Sequence, residues 1–168
     1  MWYVLWTGTG KESDTKQLLA ERMSETVYNE IVIPKKNMLQ KFHGEWRQVT
    51  KKLYPGYLFI ITETPENMVN ELERISFYKR ILKTGDSIAP ITKQEEEYLT
   101  ALISKNQTVG ISSGIIINDK VVVKSGPLVG MEGIIKKIDR HKRLAYIDMD
   151  FFNRKVTTSV ALEIVSKV

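Results

Sequence analysis

The sequence predicts an α+β protein, in which an N-terminal α/β sandwich is followed by a small five-stranded β-barrel. Two observations predict this fold class. Strand-like runs alternate with helix-like runs through residue 105, and from Ile115 onward the pattern is almost purely β with short polar turns. Alternating strands and helices form a sheet with helices packed on it, whereas many short strands at close spacing form a barrel.

The N-terminal elements follow from apolar periodicity and from helix-start signals. In order, they are a strand at 2–6, a helix carrying Leu18, Leu19, Met23 and Val27, a strand at 31–33, an exposed hairpin or loop at 35–52, a strand at 57–61 and two further helices. The second helix begins after Thr64, which supplies an N-cap, with Pro65 at the first helical position. The third begins after Thr92, which forms a capping box with Glu95 three residues later.

The C-terminal part predicts the barrel. Its strand-like runs lie at 120–123, 133–138, 144–149, 154–160 and 162–165. The preceding segment is polar, contains glycine and follows neither period. We therefore predict domains at 1–105 and 115–168, joined by a linker at 106–114.

Composition limits the classes of function. The 168 residues include no cysteine, so no disulfide framework and no cysteine metal site is expected. No N-terminal apolar run is long enough for a secretory signal or a membrane span, which favours a cytoplasmic protein. Of the formal net charge of +5, most lies in residues 115–168, which carry ten basic and six acidic side chains. Such an excess suits phosphate binding, although lysines that only keep a small barrel soluble would give the same count.

Glycines punctuate the β-branched runs at the start of the barrel. Gly126-Pro127, Gly130 and Gly133 follow Val121-Val122-Val123 and precede Ile134-Ile135, as a close-packed turn between strands requires. This spacing resembles the KOW motif of ribosomal proteins and of the NusG family of transcription elongation factors. In the N-terminal part, Trp2-Tyr3-Val4 and Leu53-Tyr54-Pro55-Gly56-Tyr57-Leu58-Phe59 resemble the opening strand and the Pro-Gly-Tyr strand of NusG-like proteins.

This resemblance implies a surface for RNA polymerase. In NusG-like proteins the aromatic residue before Pro-Gly-Tyr belongs to an apolar surface that docks on the clamp helices of the largest polymerase subunit. By position, Tyr54 is the leading contact, and Pro55 is a further candidate. Trp2, Tyr57 and Phe59 are then either neighbours on that surface or core residues. From the residues alone, packing would explain this segment without any partner.

Two basic segments are candidates for RNA contact. The first, residues 35–52, holds Lys35, Lys36, Lys41, Arg47, Lys51 and Lys52 with Glu45 as its only acid. Its Phe42 and Trp46 either stack on unpaired bases or pack back onto the domain. The second holds Lys136, Lys137, Arg140, His141, Lys142 and Arg143, and we predict it at a turn of the barrel, contacting RNA phosphates.

A third segment departs from the family pattern. Phe151-Phe152-Asn153-Arg154 aligns with the Phe-Gly-Arg segment of NusG proteins, with asparagine in place of glycine. Asparagine tolerates the left-handed conformation, so the turn is expected to survive. In general NusG proteins this phenylalanine contacts a ribosomal protein and the termination factor Rho. Here Phe151, Phe152 and Arg154 are candidate contacts for such a partner, or else Phe151 or Phe152 is barrel core.

No catalytic arrangement is evident. Gly8-Thr9-Gly10-Lys11 lacks the remaining positions of a phosphate-binding loop, and Asp148 and Asp150 lack a third metal ligand. We therefore expect no enzyme activity, no cofactor and no metal. The resemblance favours a specialised paralogue, similar to LoaP-type antiterminators that bind polymerase and a nascent RNA hairpin. The alternatives are a general NusG factor that modulates pausing and Rho-dependent termination and couples to the ribosome, and a KOW-bearing ribosome-associated protein. We expect a monomer that accompanies transcribing polymerase on the nucleoid.

Overall fold

The computed structural model describes residues 1–77, 80–81, 83–84, 87–152 and 154–168. The helices are α1 (Glu12–Arg22), α2 (Pro65–Arg74) and α3 (Lys93–Leu102), with a short 3-10 helix at Glu132–Ile134. The strands are β1 (Trp2–Trp6), β2 (Glu30–Val32), β3 (Lys35–Phe42), β4 (Glu45–Lys52), β5 (Tyr57–Ile61), β6 (Lys83–Thr84), β7 (Ser87–Ile88), β8 (Thr108–Val109), β9 (Ser112–Ile117), β10 (Lys120–Ser125), β11 (Ile135–Asp139), β12 (Leu144–Phe151) and β13 (Arg154–Lys167). The predicted α+β class is confirmed.

The chain forms two compact units, each made of several segments. Unit 1 comprises Met1–Ile33, Tyr54–Glu97 and Asp150–Arg154. Unit 2 comprises Pro34–Leu53, Tyr98–Met149 and Lys155–Val168. Within the predicted linker, β8 and the first residues of β9 form regular structure. The division at 106–114 stays a prediction.

Unit 1 is built on an antiparallel sheet with the strand order β1-β5-β2. Leu5 lies opposite Leu58 in this sheet, and both are buried in an apolar core with Leu19 of α1 and Leu72 of α2. The apolar run of β5 agrees with burial on both faces of the sheet: Leu58 and Ile60 lie in this core, and Phe59 between them is buried on the opposite face. Helix α1 ends at Arg22, so Met23 and Val27 are buried in the connection to β2 rather than in the helix.

Unit 2 contains a five-stranded sheet with the order β10-β9-β13-β12-β11. Ala145, Ile147 and Met149 alternate with more exposed positions along β12, the period of a strand with one face in a core. Five strands were predicted, but their bounds differ. The runs at 154–160 and 162–165 are one continuous strand, β13, and β9 supplies the fifth member. A second sheet, β4-β3-β8, belongs to the same unit.

Local signals located the third helix and the glycine turn after β10 correctly. The Thr92 backbone N–H donates to the Glu95 carboxylate (2.7 Å), and the Glu95 N–H donates to the Thr92 hydroxyl (3.2 Å), which is the predicted capping box. At Gly126, φ is +92°, and an added Cβ would lie 2.5 Å from the Ile111 carbonyl oxygen. A side chain has no room there, so glycine is required at this turn.

Candidate nucleic-acid interface

The first basic segment is the β3–β4 hairpin. Its two-residue turn, His43-Gly44, has positive φ at both positions, which matches the right-handed twist of paired strands. Lys41 lies opposite Trp46 across the two strands. Most side chains of this hairpin are exposed, including Lys41, Arg47 and Lys51. The sequence predicted a hairpin or loop, and the turn geometry selects the hairpin.

The second basic segment divides between a strand and a turn. Lys136 and Lys137 lie on β11 rather than in the turn, and the Lys137 ammonium is 5.9 Å from the centre of the Tyr146 ring. The turn itself spans residues 140–143 and joins β11 to β12. It is fixed by the Asp139 carboxylate, which accepts a hydrogen bond from the Lys142 backbone N–H at 2.9 Å.

Arg143 connects this turn to the hairpin. Its guanidinium carbon lies 4.1 Å from the centre of the Trp46 ring, and its Nη1 lies 3.0 Å from Oε1 of Glu163 on β13. The Arg143 carbonyl accepts a hydrogen bond from the Leu162 N–H at 3.0 Å. A guanidinium that stacks on an indole while its charge is paired is held in one orientation.

The two basic segments border one groove of about 450 Å³ in unit 2. The hairpin contributes Met38, Leu39, Gln40, Lys41, Trp46 and Lys51, and the turn and β12 contribute His141, Lys142 and Leu144. The structure therefore brings together residues that lie about a hundred positions apart in the sequence. None of these nine lining residues is acidic. The exposed Lys41, Lys51, His141 and Lys142 form its basic rim, and the less exposed Leu39, Trp46 and Leu144 form its apolar floor.

The apolar part of this groove was not apparent from the sequence. Met38, Leu39 and Leu144 gave no signal beyond strand character, because any half-buried strand has such residues. For Phe42 and Trp46 the sequence allows two interpretations, stacking on unpaired bases or packing against the domain. Trp46 is half-buried and packs against Arg143, whereas Phe42 at the hairpin tip remains 38% exposed and does not line the groove.

Lys36 is a correction to the predicted RNA contacts. Its side chain is buried, and its Nζ donates to the Ser159 carbonyl at 2.5 Å, with the Ser159 and Thr158 hydroxyls at 3.2 and 3.3 Å. Burial, aided by the nearby Lys51 charge, lowers the pKa of Lys36 from 10.5 to about 8. Its position makes Lys36 a structural link between β3 and β13 rather than a phosphate contact.

The remaining predicted RNA contacts lie outside the groove. Lys35 and Lys52 are opposite each other at the open end of the hairpin, and Arg140 is exposed in the turn. Arg47 pairs with Glu45 at 3.5 Å on a well-exposed surface, where such pairs contribute little. RNA binding by these residues stays a prediction.

The residues predicted to bind polymerase occupy two environments in unit 1. Tyr54, Pro55, Gly56 and Tyr57 form a turn closed by the Tyr57 N–H and the Tyr54 carbonyl at 3.1 Å, with φ of +90° at Gly56. Pro55 is exposed and Tyr57 is half-buried, with its ring 4.8 Å from the ring of Trp6. Trp6 is 40% exposed and was not singled out from the sequence.

Tyr54 itself lies in an aromatic cluster. Its ring centre is 5.2 Å from that of Phe151 and 6.3 Å from that of Phe59, in edge-on arrangements. Trp2 packs edge-on against Phe59 at 5.8 Å. All four side chains are buried. Of the two alternatives left open, Trp2 and Phe59 are therefore core residues here.

The Tyr54 hydroxyl is buried without a hydrogen-bond partner among the described residues. Burial raises the pKa of this phenol above its usual value. A buried hydroxyl that makes no hydrogen bond is destabilising, because it has lost its contacts with water.

The segment aligned with Phe-Gly-Arg places its two phenylalanines differently. Phe151 is buried in the aromatic cluster, whereas Phe152 is half-buried with φ of +54°. Phe152 thus adopts the left-handed conformation expected at Asn153, which lies outside the described residues. Arg154 is exposed at the start of β13.

Among the described residues, no group of three or more His, Cys, Asp or Glu side chains could hold a metal ion. In the same part of the chain, no helix has the length and apolar character needed to span a membrane.

Two family models match this chain. Residues 1–100 match the family described as transcription termination factor nusG, and residues 117–148 match the KOW motif. The first match covers more than half of the 168 residues.

Curated relatives and one solved structure agree with these matches. The transcription termination/antitermination protein NusG of Staphylococcus carnosus is 23% identical over 176 aligned residues, covering 99% of this chain and 95% of the relative. The protein of the same name from Staphylococcus aureus (strain Mu50) gives the same values. A structure of Thermotoga maritima NusG, solved to describe its domain interaction, is 22% identical with a TM-score of 0.55. It covers 97% of this chain and 93% of that one.

Proposed function

This chain belongs to the NusG family of transcription elongation and termination factors, and we propose that it promotes processive antitermination of selected operons. Members of the family are transcription factors rather than enzymes. The proposed action has two parts, binding of RNA polymerase by unit 1 and binding of a structured nascent RNA by unit 2.

The polymerase contact is proposed from family membership and from the aromatic turn. We assign it to Tyr54, Pro55 and Tyr57, facing the clamp helices of the largest subunit, where a bound factor would hold the clamp closed. Pro55 is exposed and Tyr57 half-buried, whereas Tyr54 is 1% exposed and packs against Phe151. Contact through Tyr54 therefore requires the side chains packed around it, Phe151 among them, to rearrange. A monomer of this kind would be cytoplasmic and would accompany transcribing polymerase on the nucleoid.

The observation that carries the RNA part is the single groove bordered by both basic segments. Lys41 and Lys51 of the hairpin and Lys142 of the turn are exposed at the groove. Lysines at one concave site can neutralise adjacent phosphates and release the counterions bound to them. A role in solubility alone would not explain why the basic hairpin and the basic turn border the same groove.

Two modest contacts on one chain support selective recruitment. An RNA hairpin emerging from the polymerase would be tethered to it, so the second binding step is intramolecular and its effective concentration is high. This factor would then be recruited to operons whose leader RNA carries the hairpin in preference to operons that lack it.

The test compares polymerase and RNA binding in the same variants. Tyr54→Ala removes the aromatic side chain, and we expect weaker binding to RNA polymerase with unchanged binding to a leader hairpin from the protein's own gene neighbourhood. Tyr54→Phe is the matched control, because it keeps the ring. Loss of both activities in Tyr54→Ala, with the fold intact by circular dichroism, would contradict the separation of roles.

A second measurement separates the specialised factor from a general one. Tight binding to the leader hairpin, in preference to an unrelated hairpin of equal length, supports antitermination of selected operons. Weak binding that does not distinguish the two RNAs would assign the protein to general elongation. Contacts of Phe152 and Arg154 with the ribosome or Rho would then become the main question.

A further inference from the structure

We propose that the groove binds an unpaired RNA nucleotide, with its base on the apolar floor and the adjacent phosphates on the basic rim. This inference rests on the proposed RNA-binding function and deepens it, because it names the element of the RNA that is bound. An unpaired nucleotide of this kind occurs in the loop or at a bulge of a hairpin.

The floor of the groove suits a flat ring. Leu39 and Trp46 lie on the same face of the β3–β4 hairpin, and both are partly exposed at the groove, as is Leu144. Aromatic and aliphatic side chains at one concave site provide a stacking surface, and every base has a face that can use it. The volume of about 450 Å³ lies within the range of pockets that bind small organic ligands.

The rim suits phosphate. Lys41, Lys51, His141 and Lys142 border the groove, and no acidic side chain lies among its described lining residues. Lysine ammonium groups beside an apolar floor match a nucleotide, whose ring is apolar on its faces and whose phosphates are anionic. A purely apolar ligand would leave these charges without a counterpart.

Trp46 is held in place before any ligand binds. One face of its ring contacts the Arg143 guanidinium at 4.1 Å, and Glu163 holds that guanidinium at 3.0 Å. A ring fixed in the unbound protein loses little conformational freedom when a base stacks on it, so more of the stacking energy appears as affinity.

The concave, apolar floor favours an unpaired nucleotide over a duplex. In a duplex the base faces are stacked inside the helix, so only phosphates, sugars and base edges could reach this site. The basic rim would be used, but Trp46, Leu39 and Leu144 would gain no partner. Unpaired bases can be turned outward and stacked on aromatic side chains or on arginine.

The test uses the full-length protein and two labelled RNAs measured by fluorescence anisotropy. One is a stem closed by a loop of adenosines, and the other is the same stem as a blunt duplex without a loop. We expect the looped RNA to bind at least about tenfold more tightly, since stacking is the added contact. Trp46→Ala is expected to remove this preference, whereas Phe42→Ala, an exposed ring on the same hairpin outside the groove, should keep it.

Trp46→Phe provides a second readout if Trp46→Ala proves unstable. A phenylalanine ring can still stack, so the loop preference should largely remain. Trp46 is the one tryptophan among the described lining residues, so the quenching of tryptophan fluorescence by the looped RNA should disappear in this variant.

Four outcomes would overturn the inference, in distinguishable ways. Equal affinity for the two RNAs, or a loop preference that survives Trp46→Ala, would reject base stacking while leaving the proposed RNA binding intact. Competition by poly-glutamate as effective as that of the looped RNA would assign the groove to an acidic protein segment. No binding of either RNA at low salt would remove the proposed RNA function together with the inference.

Discussion

The ring of Phe151 packs edge-on against the ring of Tyr54, with their centres 5.2 Å apart and their planes at 80°. Both side chains are almost completely buried, and the Tyr54 hydroxyl has no hydrogen-bond partner among the described residues. Phe151 lies in a segment far along the chain from Tyr54, so the burial of this hydroxyl depends on a long-range contact. The aromatic cluster around Tyr54 is otherwise apolar, and the Tyr54 hydroxyl is its one polar group without a hydrogen bond among the described residues.

Replacing Tyr54 with phenylalanine should therefore stabilise the protein. The change removes the unpaired hydroxyl and keeps the ring that packs on Phe151 and Phe59. We expect the free energy of unfolding to rise by about 1–3 kcal/mol, the cost of a buried polar group without a partner. Urea denaturation measures this directly. Tyr57→Phe is the control, because the half-buried Tyr57 should give little change; a loss of stability in Tyr54→Phe would show that the hydroxyl is bonded in solution.

Alanine variants at the groove should distinguish a lysine that neutralises RNA phosphate from an arginine that only orients Trp46. Lys142→Ala removes a rim charge, so the slope of log affinity against log salt for an RNA hairpin should become shallower by about 0.7–0.9. Arg143→Ala should lower affinity but leave that slope nearly unchanged, because the Arg143 charge is paired with Glu163 at 3.0 Å. Lys120→Ala, an exposed lysine of β10 outside both basic segments, is the control. Equal slope changes for Lys142→Ala and Arg143→Ala would contradict this assignment.

Three glycines of the turn after β10 should differ in their tolerance of alanine. Gly126→Ala faces both a φ of +92° and the Ile111 carbonyl oxygen 2.5 Å from the new Cβ. We expect a loss of about 3 kcal/mol or more in stability, or failure to fold. Gly130 has a φ of +76° with nothing within 4 Å, so its alanine variant should lose only about 1–2 kcal/mol.

Gly133 serves as the reference in this series. An added Cβ there would have no atom within 4 Å, and the φ of Gly133 is not positive. Gly133→Ala should therefore change the free energy of unfolding by no more than about 0.5 kcal/mol. Thermal denaturation of the three variants gives the order. A Gly133→Ala protein as unstable as Gly126→Ala would argue against this turn geometry.

The buried Lys36 should make stability depend on alkaline pH. Its pKa is about 8 in the folded protein and about 10.5 when unfolded, so between these values the unfolded chain binds more protons. The contribution of Lys36 to the free energy of unfolding therefore rises as the pH increases from about 8 toward 10.5. The measurement is the free energy of unfolding across this range, compared with Lys36→Met, which should lack that part of the rise. Parallel pH profiles would show that Lys36 keeps its ordinary pKa.

Much of the fold was predictable because its signals are local. The capping box of Thr92 and Glu95, the proline at the start of α2 and the glycine at 126 each fix a short stretch of backbone whatever surrounds it. The error at β13 has the opposite origin. A single strand crosses residue 161, where the sequence predicted a break: β13 lies between β9 and β12, and its pairing with β9 begins at Leu162, directly after that residue.

Fold class, family and the existence of two basic segments could all be inferred from the residues, since composition and spacing are properties of the chain. The folded protein was needed to show that these segments share one groove, that Arg143 lies on Trp46, and that Lys36 and Tyr54 are buried. Charge and aromatic character belong to a residue, whereas its exposure depends on neighbours that are distant in sequence. Lys36 and Lys41 look alike in the chain, yet one is bonded to Ser159 and the other borders the groove.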